Sequence, residues 1–218
     1  MRIFLLLSFL FVDVCVGGEI FSEFPKSIDP NAQYVFYSHG LIVEGDNPTP
    51  ESTRYGIYDF PEVKQELSDQ AYNLIAYHRP KNTNPKEFAK KLADNVLELI
   101  KNGVKPKNIS LVGFSRGGAI TIFTSNLLAR DDVTFIILAG CGDYLKKNPH
   151  LTMYGHVYSI IETSDDLVGS CNPFIDRSAD IQSFTELSLS TGKEHGAFYV
   201  PLPEWINPVK KWVKLNKS

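Results

Sequence analysis

Two rhythms of apolar residues alternate along the chain. Short, almost continuous apolar runs occur at Tyr34 to Tyr37, Leu74 to Tyr77, Ile109 to Val112, Val133 to Leu138 and His156 to Ile161, with a weaker one at Thr185 to Leu189. Such runs, rich in β-branched and aromatic residues and stopped by turn formers, read as buried strands. Between them lie segments with a period near 3.6. In Pro85 to Lys101 the apolar set is Phe88, Ala89, Leu92, Val96, Leu97 and Ile100, with Pro85 opening the segment and Gly103 following it. That combination predicts an amphipathic helix with both ends marked. Pro61 to Ala71, Arg116 to Arg130 and Trp205 to Leu215 are also predicted helical. Strands that alternate with helices, and lack the in-out alternation of a one-sided sheet, predict an α/β domain with a mainly parallel sheet and helices on both faces. The site of such a domain lies at the carboxyl ends of its strands.

The first residues follow another pattern. Met1-Arg2, an apolar run from Ile3 to Val16 and the small pair Gly17-Gly18 read as an export signal, with cleavage between Gly17 and Glu19. The run contains Asp13 and is shorter than the roughly 20 apolar residues that span a bilayer, so stable membrane insertion is not expected. Residues 1–18 are thus expected to be a leader and 19–218 a single domain, in a periplasmic or secreted protein. Without the leader two cysteines remain, Cys141 and Cys171. In an oxidising compartment they are candidates for a disulfide; two buried thiols are the alternative.

Composition narrows the class. With 218 residues, 43% of them hydrophobic, the chain has material for one packed core. A net charge of -3 and the lack of a basic stripe give no footprint for nucleic acid. No His, Cys, Asp and Glu cluster has metal-ligand spacing, and no glycine loop suits a phosphate, so neither metal nor cofactor is expected.

Gly113-Phe114-Ser115-Arg116-Gly117 carries the chemistry. G-x-S-x-G alone occurs by chance in roughly one chain in ten of this size. Here it falls directly after a predicted strand and before a predicted helix. A serine in a sharp turn there is strained and exposed, and small residues two before and two after it let strand and helix cross closely. The serine needs a base. Of five histidines only His195, in Lys193-Glu194-His195-Gly196, lies between the last strand and the last helix. The acid belongs after the strand ending at Ile161, where Asp165 and Asp166 compete; Asp165 suits a two- or three-residue turn better, and Glu162 is a third choice. The unused aspartate is expected to form a turn or a cap. An oxyanion hole would use the N–H of Arg116 and that of Leu41, which follows the tight turn His39-Gly40. His39 itself reads as structural.

With His39-Gly40, the serine turn, Asp165-Asp166 and His195 in that order, the chain resembles the α/β-hydrolase superfamily from Tyr34 to Leu215. The resemblance implies a Ser-His-Asp mechanism without cofactor and a small-molecule substrate. An ester is the first expectation; amide or thioester hydrolysis and a non-catalytic binding role are the alternatives. Few residues separate the leader from Tyr34, so the antiparallel strands that usually open this fold should be missing or reduced, leaving about six strands. The segment Cys141 to Gly155, where lipases usually carry a lid, is short, which implies an open pocket. The long segment Ile42 to Asp59 is a candidate pocket wall. Arg79 and Arg116 lie near the expected site without an assigned role.

Overall fold

The computed structural model describes residues 18–145 and 147–215. The expected leader, residues 1–17 and the glycine after them, therefore lies almost wholly outside the described residues.

The strands in chain order are β1 (Ile20–Phe21), β2 (Tyr34–Ser38), β3 (Glu51–Ser52), β4 (Gly56–Ile57), β5 (Asn73–Ile75), β6 (Ile109–Phe114), β7 (Thr134–Leu138), β8 (Tyr154–Glu162) and β9 (Asp180–Leu189). β3 and β4 make a small antiparallel hairpin. The rest form one sheet of order β1-β5-β2-β6-β7-β8-β9, with every pairing parallel. The mainly parallel α/β architecture is thus as the periodicity implies, but with seven strands where about six were expected. The additional one is β1, whose two residues pair with Leu74 and Ile75 and are too few to carry a period. β2, β6 and β7 are buried at every position, which explains their uninterrupted apolar sequences. β9 is an edge strand with several exposed positions; its second half is the strand expected at Thr185 to Leu189, while its mostly polar first half, Asp180 to Phe184, does not show as an apolar run.

The helices are α1 (Phe60–Leu67), α2 (Pro85–Lys101), α3 (Arg116–Leu128), α4 (Asn172–Ile175) and α5 (Pro203–Leu215). α2 has its expected bounds: Asn84 caps its first turn, accepting from the N–H groups of Lys86 and Glu87. α1 is shorter than expected. Ser68 turns extended and Asp69 Oδ1 accepts from the Ala71 N–H, which ends the helix in a local turn. α3 stops at Leu128 because Ala129 adopts the left-handed conformation.

Two cores flank the sheet. Phe88, Leu92, Val96 and Leu99 of α2 join Ile120 and Ile122 of α3 on one face. Phe60, Val63 and Leu67 of α1 join Trp205, Val209 and Val213 of α5 on the other. Each fully buried Leu, Val or Phe contributes about 1.5–3 kcal/mol of transfer free energy. Because every main-sheet strand runs the same way, the segments after β2, β6, β7 and β8 gather at one end, and the expected site residues gather with them.

Candidate active site

β6 sits in mid-sheet between β2 and β7, so the turn that follows it is fixed on both sides. There Ser115 has φ 54° and ψ −113°, a conformation that L residues rarely adopt, and α3 begins at the next residue. The main chain leaves no room for side chains around it. A Cβ on Gly113 would come within 2.1 Å of the Gly117 carbonyl oxygen, and one on Gly117 within 1.8 Å of the Ser38 carbonyl oxygen. A second close approach was not read from the sequence: a Cβ on Gly118 would stand 2.8 Å from Cα of Gly140, just past β7. Ser115 N–H donates to the Leu138 carbonyl at 2.9 Å, tying the turn to β7.

β8 ends at Glu162, and the segment behind it turns toward His195. Asp165 has a side chain with 0% exposure, and its Oδ2 accepts from His195 Nδ1 at 2.6 Å. The same carboxylate uses Oδ1 to accept the Leu167 N–H at 2.9 Å, so Asp165 itself closes the turn that the sequence had assigned to whichever aspartate was left over. Asp166 points away and pairs with Arg54 Nη2 at 2.9 Å. The Arg54 guanidinium holds the Asp166 carboxyl below the usual carboxylate range. His195 lies in a 3₁₀ turn, Glu194–Phe198, entered through Glu194 at φ 52°. Its ring packs 4.8 Å from that of Phe114, the residue before Ser115. Asp165, His195 and the serine turn are thus brought together, while among the described residues Ser115 Oγ and His195 share no hydrogen bond.

Glu162, third choice as the acid, makes no hydrogen bond to His195 or Ser115 among the described residues. It is 3% exposed and joins the two segments that carry Asp165 and His195. It accepts from the N–H and hydroxyl of Ser164, from the N–H of Thr191 at 2.8 Å and from that of Gly192 at 3.1 Å. Burial pushes its pKa up, but these donors outweigh burial and hold it below the ordinary value. A glutamate at a strand end looks like any solvated charge in a sequence, so nothing signalled this.

On the other side of Ser115, Arg116 is the first residue of α3 and Leu41 the first of a 3₁₀ turn, Leu41–Val43. First-turn N–H groups have no acceptor within their own helix and are free to face a ligand. His39 is fully buried; burial first, then the charge of Arg79, depresses its pKa well below 6.5 and keeps it neutral. Arg79 is also fully buried, and Arg116 Nη1 donates to the Thr83 carbonyl at 3.3 Å. Of the segment Ile42 to Asp59, the hairpin forms a wall on the His195 side: the Tyr55 ring is 6.1 Å from the imidazole, and Arg54 holds Glu194 as well as Asp166. Leu41 after β2, Ile57 in the hairpin and Leu167 after Asp166 are each about half exposed.

Cys141 and Cys171 are joined, with S–S 2.03 Å. The bridge connects the segment after β7 to the start of α4, and the Gly169 N–H donates to the Cys141 carbonyl at 3.3 Å beside it. It therefore anchors the far end of the segment that carries Asp165. No helix among the described residues is long and apolar enough to cross a membrane.

No protein-family model matches this sequence, and a search of curated proteins gives no match. Solved structures are similar in fold. The monoacylglycerol lipase of Paleococcus ferrophilus superposes with a TM-score of 0.61 at 14% identity, over 84% of this chain and 95% of that one. Arabidopsis thaliana SOBER1 gives 0.59 at 14% identity, over 86% of this chain and 100% of that one. RedJ, a thioesterase from the prodiginine biosynthetic pathway of Streptomyces coelicolor, gives 0.52 at 12% identity, over 87% and 88%. The chain has the α/β-hydrolase fold.

Proposed function

We propose that this protein is a serine hydrolase that cleaves a carboxylic ester of a small soluble substrate through an acyl-enzyme. The observation that carries the reading is the 2.6 Å bond from His195 Nδ1 to the buried carboxylate of Asp165, with the imidazole packed against Phe114, the residue before a serine in a strained strand-to-helix turn. A carboxylate on Nδ1 selects the tautomer whose Nε2 is free to take the Ser115 proton, and it stabilises the imidazolium that results. Ser115 Oγ attacks the acyl carbon; His195 receives its proton and passes it to the departing alkoxide. The N–H groups of Arg116 and Leu41 stabilise the oxyanion, and water, activated by His195, releases the acid. In free enzymes the serine-histidine contact is often long and tightens when substrate is bound. The exposure of Leu41, Ile57 and Leu167, in segments that flank Ser115 and His195 in the chain order, supports an acyl group bound in the open rather than under a lid. Hydrolase names among the structural neighbours support the reaction class, but a triad acts equally on esters, thioesters and amides. Export belongs to the same proposal, and the Cys141–Cys171 bridge supports it, since structural disulfides persist in oxidising compartments.

The test is kcat/KM on p-nitrophenyl acetate and butyrate for the protein without its first 18 residues. Ser115→Ala, His195→Ala and Asp165→Asn should each lose on the order of 10⁴-fold or more, whereas Asp166→Asn should stay within about threefold. A wild type that is inert on both esters and whose Ser115 is not labelled by a fluorophosphonate would leave a binding protein on this fold.

A further inference from the structure

A fully buried arginine is costly unless its donors are matched, and Arg79 is 0% exposed. Its partners are unusual. One carboxylate, Glu44, lies 3.3 Å from Nε and is itself 2% exposed. The remaining bonds go to the main chain of the segment that should form half of the oxyanion hole: Arg79 Nη2 donates to the His39 carbonyl at 2.5 Å and to the Gly40 carbonyl at 3.4 Å. Arg79 N–H donates to His39 Nε2 at 3.0 Å, and its carbonyl accepts the Gly45 N–H at 3.0 Å. Next to it, His78 Nε2 donates to the Val43 carbonyl at 2.7 Å. The residues after β5 are therefore zipped along the whole turn that follows β2.

These bonds determine the direction of one peptide. Because His39 Nε2 accepts, the imidazole proton is on Nδ1, which donates to the Gly40 carbonyl at 2.8 Å. The Gly40 carbonyl thus meets two donors, from His39 and Arg79, on the buried side. No peptide bond among the described residues is cis, so the Leu41 N–H points opposite to that carbonyl. Gly40 lies against the Phe114 ring: a Cβ there would be 3.0 Å from Cε1. The turn after β2 also abuts the start of α3, since a Cβ on Gly117 would be 1.8 Å from the Ser38 carbonyl oxygen and 2.8 Å from that of His39.

We propose that Arg79, acting with His39, is a positioning residue that holds the Gly40–Leu41 peptide with its N–H at the oxyanion site. The inference rests on the hydrolase reading above. A role in stability alone fits the site less well. Arg79 Nη1 and Glu44 Oε2 are buried without a partner, and an ion pair retained for stability would be expected to satisfy both. Lysine could keep the charge opposite Glu44 but could not fork to both carbonyls as well.

A double-mutant cycle tests it. Gly40 has φ −68° and ψ 173°, the region open to a residue before proline, and Leu41 is the first residue of its helical turn, so Leu41→Pro removes the N–H without reshaping the backbone. On p-nitrophenyl acetate Leu41→Pro should lower kcat by about 10²-fold, as loss of one oxyanion donor does. Arg79→Lys should lower kcat roughly tenfold with KM within about threefold, and should weaken a boronic acid that forms a tetrahedral adduct on Ser115 by a similar factor. In the Leu41→Pro background the same substitution should cost less than about twofold, because the group it positions is gone. Equal losses in both backgrounds, or a loss confined to KM, overturn the inference. His39→Gln, whose side-chain oxygen can accept the Arg79 N–H at the Nε2 position but which has no donor at the Nδ1 position facing the Gly40 carbonyl, goes through the same cycle and decides the matter if Arg79→Lys does not fold. An inert, unlabelled wild type means that the hydrolase reading has failed; an active wild type with additive losses means that only the role of Arg79 has.

Discussion

Around Ser115 the main chain packs against the main chain, whereas around His195 the connections run through side-chain carboxylates. Gly113, Gly117 and Gly118 let β6, α3 and the ends of β2 and β7 meet at distances that no Cβ allows, and the Ser115 N–H is tied to the Leu138 carbonyl. Near His195, by contrast, Glu162 binds the Ser164 and Thr191-Gly192 segments to each other, Asp165 closes its own turn, and Arg54 joins Glu194 to Asp166. The first construction is indifferent to pH and salt but intolerant of a single methyl group. The second accepts changes of shape and depends on charge. One half of the candidate site thus fixes Ser115 by sterics, and the other holds His195 by electrostatics.

Gly117→Ala should break the main-chain half outright. Its Cβ would lie 1.8 Å from the Ser38 carbonyl oxygen, a backbone atom on a fully buried strand that cannot swing aside. A destabilisation on the order of 3 kcal/mol or more is expected, about 6–12 °C in melting temperature for a domain of this size. Gly169→Ala is the control, since no atom lies within 4 Å of a Cβ there. If thermal melts of the two variants agree within about 2 °C, the close approach is not what holds the turn.

The same division decides what could be read from the sequence. The serine turn was legible because sterics leave a residue signature: only glycine fits where chains cross, so Gly113 and Gly117 mark the site by identity and spacing. Asp165 and His195 were reachable through the order of the strands, which the apolar runs of β6 to β8 display. Glu162, Arg54 and Arg79 were not legible in their roles. Each acts through a partner far along the chain, Arg54 and Glu194 being 140 residues apart, and a charged residue in a loop carries no local mark of what it will meet. β1 escaped for a related reason: a two-residue strand is defined by the neighbour it pairs with, not by its own pattern.

Glu162→Gln probes the carboxylate-built half. The amide keeps one acceptor but turns an NH₂ toward the N–H donors of Ser164 or of Thr191 and Gly192. A loss of about 1–3 kcal/mol in stability is expected. Because both the Asp165 and the His195 segments loosen, kcat/KM should fall roughly tenfold. The sign of the pH effect follows from the lowered folded-state pKa. The contribution of Glu162 is complete above its unfolded value and is lost as the pH falls through the folded one, so the melting temperature of the wild type should drop on acidification and that of Glu162→Gln should drop less. Parallel acid limbs in the two proteins would show that the glutamate is not what ties these segments together.

Arg54→Ala should have the smallest effect, and the one most dependent on solvent. Its two ion pairs, 2.9 Å to Asp166 and 2.6 Å to Glu194, are the only carboxylate contacts recorded for this guanidinium among the described residues, and all three side chains are between 35% and 60% exposed. Pairs this exposed to solvent contribute little to stability, so the melting temperature should move by no more than roughly a few degrees. The consequence should instead appear in binding. Arg54 fastens the β3–β4 hairpin over His195, where the Tyr55 ring makes its contact, and releasing the hairpin should raise KM about two- to threefold at low ionic strength while kcat holds. Near 1 M salt the Debye length shrinks to about 3 Å, so wild type and variant should converge. A tenfold fall in kcat that persists in salt would place the hairpin with the structural supports of His195 instead, and the charge-built half would then extend beyond Glu162 to the whole wall of the site.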